Sequence, residues 1–408
     1  MYSAAHSNGL GPRNLPQERL AMSNPIVILD IFPSAHAVTG IRADNQANSV
    51  VIITGDCPLL NPEKPTDTRG MIYRGPIAPN NTSGCQWDNA NSLGCICRFP
   101  PIIDVVSAVF YGPDTSVFTP TMGDGNVRIV GSYRLKKGSV SQYDHGVKYQ
   151  GPLRDKELED PARWLTIDMN PHQALGPVAN TILHSTMGEL IVGNYDTLVH
   201  QENLPEKIAS GKFNAFIYNI GHNLCFDLKR LLQLENEPGK LITAYGIWRN
   251  TTDSNPDTTS YTIAGGLWDE NVGTNGLNVG LLLDFDSKTL AISNVTQFSF
   301  GNVPGALTHF EGITKYGEAM TPYGPRYYAL AATGDEKNVS RGAAFGVVKR
   351  KDDGSFEIQA EWQPVNVSGS TITTGNTVLQ NNLYGIYSPG PNNSAFQSYV
   401  AENLPVVI

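Results

Sequence analysis

One hairpin pattern recurs along this chain and limits what it can fold into. Between residues 188 and 220 two short apolar runs, GELIVGNYDT and FNAFIYNI, flank a polar insertion. Both are rich in Ile, Val, Tyr and Phe, residues that suit a pleated and largely buried surface, so they read as an antiparallel pair. The same shape appears at 50–57 with 70–77, 127–133 with 146–153, 261–267 with 279–286, 327–332 with 343–350, and 383–387 with 394–400. The first strands of these pairs recur roughly every 55 to 80 residues, a spacing long enough for a four-stranded unit with long loops.

Further apolar runs flank the pairs. One precedes the hairpin at 38–42, 178–184, 241–248, 307–314 and 373–379, and one follows it at 164–169, 224–228, 295–300 and 362–367. The sixth unit has no following run. The run at 26–32 (IVILDIF) has no hairpin of its own, and it is expected to close the sixth unit and join the ends of a ring. An unpaired edge strand would leave backbone donors and acceptors exposed, so closure of this kind is expected of a propeller. The fold expected is all-β, a single-domain β-propeller of six four-stranded blades over residues 26–408, after an extension at 1–25. Five blades plus an irregular sheet is the alternative. Residues 80–117, rich in Pro, Gly, Asn and Cys, read as a long loop insertion that walls one side of a pocket.

Units of the form GELIVGNYDT…NAFIYNI resemble the HAF-type repeats of extracellular bacterial and fungal proteins. The stretches TAYGIWRN, SYTIAGGL, GLLLDFD, LTHFEGIT and TTGNTVLQNNLYGIY share in this, so the resemblance spans about residues 118 to 390. It implies a propeller-like fold and leaves the activity open.

Composition narrows the partners. The net charge of −9 argues against nucleic acid or an anionic membrane surface, and no apolar run approaches the length of a membrane span. Residues 1–23 are polar and broken by Gly and Pro, so the chain reads either as intracellular or as a mature secreted chain without its leader. Asn80, Asn81, Asn250, Asn294, Asn338, Asn366 and Asn392 each begin an N-x-[ST] sequon, which favours secretion with N-glycans. Of five cysteines, Cys85, Cys95 and Cys97 crowd into one loop. A disulfide involving this group and Cys57 is expected, with Cys225 left as a buried core residue. The C-x-C spacing lacks a nearby His and makes a poor metal site.

The chemical candidates fall in two groups. His309 and Glu311, at i and i+2 in THFEGI, face the same side of a strand and form an acid–base candidate. His184, in NTILHSTM, is the counterpart in the third unit. Tyr245, Trp248 and Arg249 in TAYGIWRN, with Trp268, are placed near the channel, and Phe118 joins them as a wall. Tyr143, Asp144, His145 and Lys148 cluster in SQYDHGVKY, a pattern that is equally a polar hairpin tip. His309, Glu311, Arg249 and His184 are thus the catalytic candidates, and Phe118, Tyr143, His145, Tyr245, Trp248 and Trp268 the substrate-binding ones. Asp284 and Asp286 in LDFDSKT read as a turn before a calcium site. No G-x-S-x-G, P-loop, H-E-x-x-H or G-x-G-x-x-G after a strand occurs, so no nucleotide, flavin or metal cofactor is expected.

In size, sequons and all-β character the chain is also similar to the fungal hetero-Diels–Alderases of tropolone sesquiterpenoid biosynthesis. That similarity implies a cofactor-free enzyme joining a quinone-methide-type diene to a terpene alkene in an apolar pocket, with a small apolar or aromatic substrate as its partner. The alternatives are a secreted carbohydrate-binding propeller and a hydrolase or lyase using His309 and Glu311.

Overall fold

The computed structural model describes residues 26–28, 37–45, 49–58, 68–77, 87–88, 91–136, 143–199, 208–252, 254–272, 277–335, 342–390 and 396–405. Its strands form six antiparallel sheets, each with a meandering path of four strands, beside one two-stranded ribbon. The chain is a six-bladed propeller.

From inner to outer strand, blade 1 runs Ala37–Ala43, Val50–Pro58, Thr68–Pro76 and Gly94–Arg98. Blade 2 runs Val105–Phe110, Asn126–Leu135, Asp144–Pro152 and Trp164–Thr166. Blade 3 runs Val178–Met187, Leu190–Val199, Asn214–Asn219 and Leu224–Asp227. Blade 4 runs Lys240–Arg249, Ser260–Asp269, Leu277–Asp286 and Ile292–Phe298. Blade 5 runs Leu307–Lys315, Tyr327–Asp335, Gly342–Lys349 and Glu361–Val365. Blade 6 has Thr377–Leu379, Asn382–Tyr387 and Gln397–Ala401, and its outer strand is Ile26–Ile28 from the other end of the chain.

The closure has the expected form: Ile26 pairs with Ala401, Val27 with Val400 and Ile28 with Tyr399, antiparallel. All six expected hairpins are present as second and third strands. The five-bladed alternative does not hold. The stretch 80–117 is not one long loop, because it carries the outer strand of blade 1 and the inner strand of blade 2. Its Cys, Arg and Pro content masked them: GCICR and VVSAVF are short, and flanking prolines break the apolar pattern. The extension 1–25 lies outside the described residues.

The core lies between blades, which explains the continuous apolar runs. Along Val50–Pro58, Val51 and Ile53 pack towards Leu379, Tyr384 and Val400 of blade 6, while Ile52 packs the other way, towards Ala108, Phe110 and Ile129 of blade 2. Alternate side chains point to opposite faces, and both faces are covered, so both must be apolar. Blades 2 and 3 share Val130, Leu183, Ile191 and Phe216, and blades 5 and 6 share Ala331, Phe345, Leu383 and Tyr399. Blades 4 and 5 are also tied by a buried polar cluster. Arg350 on blade 5, fully buried, donates to both carboxylate oxygens of Asp284 at 2.6 and 2.8 Å and to the Tyr328 hydroxyl at 3.0 Å. Asp284 is thereby occupied. Asp286 accepts backbone N–H groups from Lys288 and Thr289, so the pair serves an ion bridge and a turn.

Cys57 is bonded to Cys97, which joins the second and outer strands of blade 1. Cys95 and Cys225 are buried, Cys225 as a free thiol in blade 3, and Cys85 lies outside the described residues. No helix among the described residues is long and apolar enough to cross a membrane.

Candidate functional site

The inner strands carry a repeated irregularity that builds the site. Four of them share a register shift at an equivalent place, between 38 and 40, 183 and 185, 244 and 246, and 310 and 312; further shifts fall earlier, between 178 and 181 in blade 3 and between 105 and 107 in blade 2. The residues left over are Thr39, His184, Tyr245 and Glu311. Tyr111 holds the same place in blade 2, its N–H donating to the Val130 carbonyl at 2.7 Å, and Asn376 holds it in blade 6, donating to the Tyr384 carbonyl at 2.9 Å. A bulge re-aims one side chain out of the ladder. All six of these side chains line one cavity of about 320 Å³ at one mouth of the central channel, together with Leu307, His309, Thr333, Thr374 and Asn278.

A small residue follows each bulge: Gly40, Gly112, Ser185, Gly246, Gly312 and Thr377. These make a collar where neighbouring inner strands approach closely. A Cβ on Gly40 would lie 2.6 Å from the Gly112 Cα, one on Gly112 2.7 Å from the Ser185 hydroxyl, and one on Gly312 2.9 Å from the Thr377 Cα. Close backbone approach therefore demands a missing side chain at these places.

Four rings from four successive blades wall half of the cavity. Tyr111 lies 4.6 Å from His184, His184 4.2 Å from Tyr245, and Tyr245 4.6 Å from His309, centre to centre. The other side is polar. Thr374 donates to the Asn376 side-chain oxygen at 2.6 Å, and Asn376 donates to the Val38 carbonyl at 2.8 Å, locking blade 6 to blade 1. Burial, with His309 adding to it, pushes the His184 pKa down to about 3, so its imidazole is neutral at ordinary pH. Burial also pushes the Tyr111 and Tyr245 phenols up, with the Glu311 carboxylate adding to both, so they stay protonated donors. His309 is held at both ring nitrogens: Nδ1 lies 2.7 Å from Glu311 Oε1, and Nε2 lies 2.8 Å from Thr243 Oγ1. Thr243 is itself fixed by the Gly266 N–H, which donates to Oγ1 at 3.1 Å. Among the described lining residues Glu311 is the one carboxylate, and no lysine or arginine is present.

His184, Tyr245, His309 and Glu311 all line this cavity; the i, i+2 spacing points to the His309–Glu311 pair alone. Trp268, 37% exposed, lies beside them in a groove of about 160 Å³ that shares His309 and Asn278 with the cavity. Arg249 stands elsewhere. It follows Tyr245 by four residues on an extended strand, roughly 13 Å at about 3.3 Å per residue. Its Nε donates to the Thr258 carbonyl at 3.0 Å. Phe118 and Trp248 line the cavity at the opposite mouth of the channel, Trp248 because it lies three residues along the same strand from Tyr245. Tyr143 and His145 are not at the channel either, because His145 is at the start of the third strand of blade 2 and Tyr143 just precedes that strand. There His145 Nδ1 meets Asp168 Oδ2 at 2.8 Å, a bond that raises its pKa, and Asp144 pairs with Arg134 at 2.8 Å.

The sequons divide as well. Asn250 is buried, its amide donating to Ser260 Oγ at 3.0 Å, which leaves no room for a glycan. Asn294 is half-buried, with its amide donating to Asp284 at 2.7 Å. Asn366 is exposed, and Asn80, Asn81, Asn338 and Asn392 lie outside the described residues. Sequence reasoning missed Thr39, Tyr111, Thr374 and Asn376. Tyr111 had a signal, since FYG at 110–112 matches AYG at 244–246.

No family model matches the chain, and no curated protein matches it. Among solved structures, a luciferin-regenerating enzyme is 11% identical over 92% of this chain and 94% of its own, with a TM-score of 0.40. A glucose dehydrogenase is 10% identical over 94% and 100%, at 0.42. A Trypanosoma rangeli sialidase is 7% identical over 90% of this chain and 54% of its own, also at 0.42.

Proposed function

We propose that this chain is a cofactor-independent small-molecule enzyme of secondary metabolism, a hetero-Diels–Alderase joining a quinone-methide-type diene to a terpene alkene. The observation that carries this reading is the wall of four rings with uncharged donors at the ring-lined mouth. The reaction forms one C–C and one C–O bond while three π bonds become one, and it needs no electron carrier. Its largest requirement is that two partners meet in one orientation, which a rigid aromatic wall supplies. Negative charge gathers on the diene oxygen as the bonds form, and the Tyr111 and Tyr245 hydroxyls are neutral donors that stabilise it there. When the diene is generated by dehydration, Glu311, oriented through His309, takes the phenolic proton and returns it to the departing benzylic hydroxyl, which leaves as water. The cavity with its adjoining groove is of the size expected for small-molecule sites.

The alternatives fit less well. A glycosidase ordinarily needs two facing carboxylates, and the described lining offers Glu311 alone. A lectin with a platform on each blade needs repeated exposed aromatics, whereas Trp164, Trp248 and Trp362 are buried. We place the protein in the secretory pathway, carrying a glycan at Asn366, as the Cys57–Cys97 disulfide favours.

The test supplies purified protein with a quinone-methide precursor and a terpene alkene and follows adduct formation and its enantiomeric ratio. Tyr245→Phe is expected to lower kcat by roughly one to two orders of magnitude with an unchanged fold. A racemic product at the uncatalysed rate would remove the cycloaddition reading.

A further inference from the structure

The ring-walled cavity and the groove beside it differ in chemistry and meet at one edge, where Asn278 and His309 line both. Tyr111 and Tyr245 line the cavity, and among the described residues no hydrogen bond reaches either phenol oxygen. Each phenol can donate one bond and accept another. An enclosed polar group without a partner is costly, so the two favour a ligand that brings hydroxyl or carbonyl groups. Glu311 stands there with no cation in the described lining, so an anionic head is disfavoured.

The groove has the opposite character. In blade 4 Leu241 pairs with Trp268, Trp268 with Asn278, and Thr243 with Gly266. Directly paired residues point their side chains to the same side of a sheet, so these five share one face. Phe213, just before the third strand of blade 3, adds a second ring. The polar atom of Thr243 is already spent on His309 and the Gly266 N–H. A Cβ on Gly266 would lie 2.5 Å from His309 Cδ2, so glycine there is what lets the His309 ring stand at the junction. The described lining of the groove contains no carboxylate, lysine or arginine. Lys212, between Gly211 and Phe213, is paired with Glu270 at 2.8 Å. What the groove offers a ligand is therefore Leu241, Phe213 and the exposed side chain of Trp268.

We infer that cavity and groove form one bipartite site for a neutral amphiphile, with a hydroxylated ring in the cavity and an aliphatic tail laid along the groove over Trp268. Trp268 is then the residue that sets the preference for a tail. The inference rests on the reading above for the choice of this mouth and not for the reaction.

Calorimetric titration of the full chain at neutral pH with phenol, 4-butylphenol and 4-butylbenzoate tests it. 4-Butylphenol should bind saturably and at least about tenfold more tightly than phenol, since each buried methylene adds affinity. The anionic 4-butylbenzoate should bind at least about tenfold more weakly than 4-butylphenol. Trp268→Ala should bring the two phenols within about threefold of each other, and Trp268→Phe should keep most of the preference. Tyr245→Phe should weaken both phenols by about fivefold and leave their ratio unchanged. The comparison of phenol with 4-butylphenol uses the unaltered protein, so it decides the tail even where Trp268→Ala does not fold. Equal affinity for the two phenols, no saturable heat with 4-butylphenol, 4-butylbenzoate bound as tightly as 4-butylphenol, or an undiminished preference in Trp268→Ala would each overturn the inference. Tail-dependent binding beside a racemic product at the uncatalysed rate would remove the cycloaddition alone, and adduct formation without any tail preference would remove this inference alone.

Discussion

His184 and Asp56 titrate in opposite directions near the same cavity, and their effects on stability can be separated by pH. Burial holds His184 down at about 3 from an ordinary 6.5. Below pH 6.5 the unfolded chain takes up a proton that the folded chain refuses, so this group lowers stability as pH falls from 6.5 towards 3, by up to about 1.4 kcal/mol per pH unit. Asp56 is raised by burial to about 6 from 3.8. The folded chain protonates it first, so it raises stability as pH falls from about 6 to 3.8. Asp56 is only half-buried, and solvent screening makes its share the smaller. Urea unfolding at pH 6, 5 and 4 should therefore show a shallower pH dependence for His184→Gln than for the unaltered protein, and a steeper one for Asp56→Asn. Parallel curves for His184→Gln would mean that the imidazole titrates normally. At this scale His309 and Glu311 were legible from their spacing alone. Tyr111 was hidden because its strand was taken as loop, and Arg249 was misplaced because four residues along a strand change the end of the channel it occupies.

At the scale of the element, the inner strand is the unit that matters. Its bulge presents one side chain to the cavity, and the small residue after it lets the next blade approach. Gly40→Ala places a Cβ 2.6 Å from the Gly112 backbone, which has no flexible end to move aside. The expected cost is roughly 1–3 kcal/mol, the range for overpacking, read as a lower midpoint of denaturation. Gly176→Ala, where the nearest atom is 3.5 Å away, should be nearly neutral and serves as the control. Equal effects of the two substitutions would remove the collar from this account. The hairpins were legible because both of their faces are buried, giving unbroken apolar runs. Gly94–Arg98 and Val105–Phe110 were not, because short strands flanked by proline carry little pattern.

For the whole molecule, closure decides stability. Blade 6 is completed by three residues from the far end of the chain, pairing Ile26–Ile28 with Gln397–Ala401. A variant beginning after Ile28 leaves Gln397–Ala401 as an open edge with unpaired backbone groups. It should melt at a lower temperature and associate through that edge, which light scattering during a thermal scan would register. An unchanged melting curve with a monomeric species would show that the ring does not depend on this strand.

The sequence by itself determined the number of blades, the six hairpins and the closing strand, because a strand buried on both faces writes its position as local apolar runs. Only the tertiary structure decided which side chains share a cavity. Thr39, Tyr111, His184, Tyr245, Glu311 and Asn376 come from six separate stretches of chain, and what unites them is the ring that sets their strands side by side. It also divided Tyr245 from Trp248, three residues apart, between opposite mouths of one channel. Distance along a strand is fixed locally, but the axis that gives it meaning exists only once all six blades have closed.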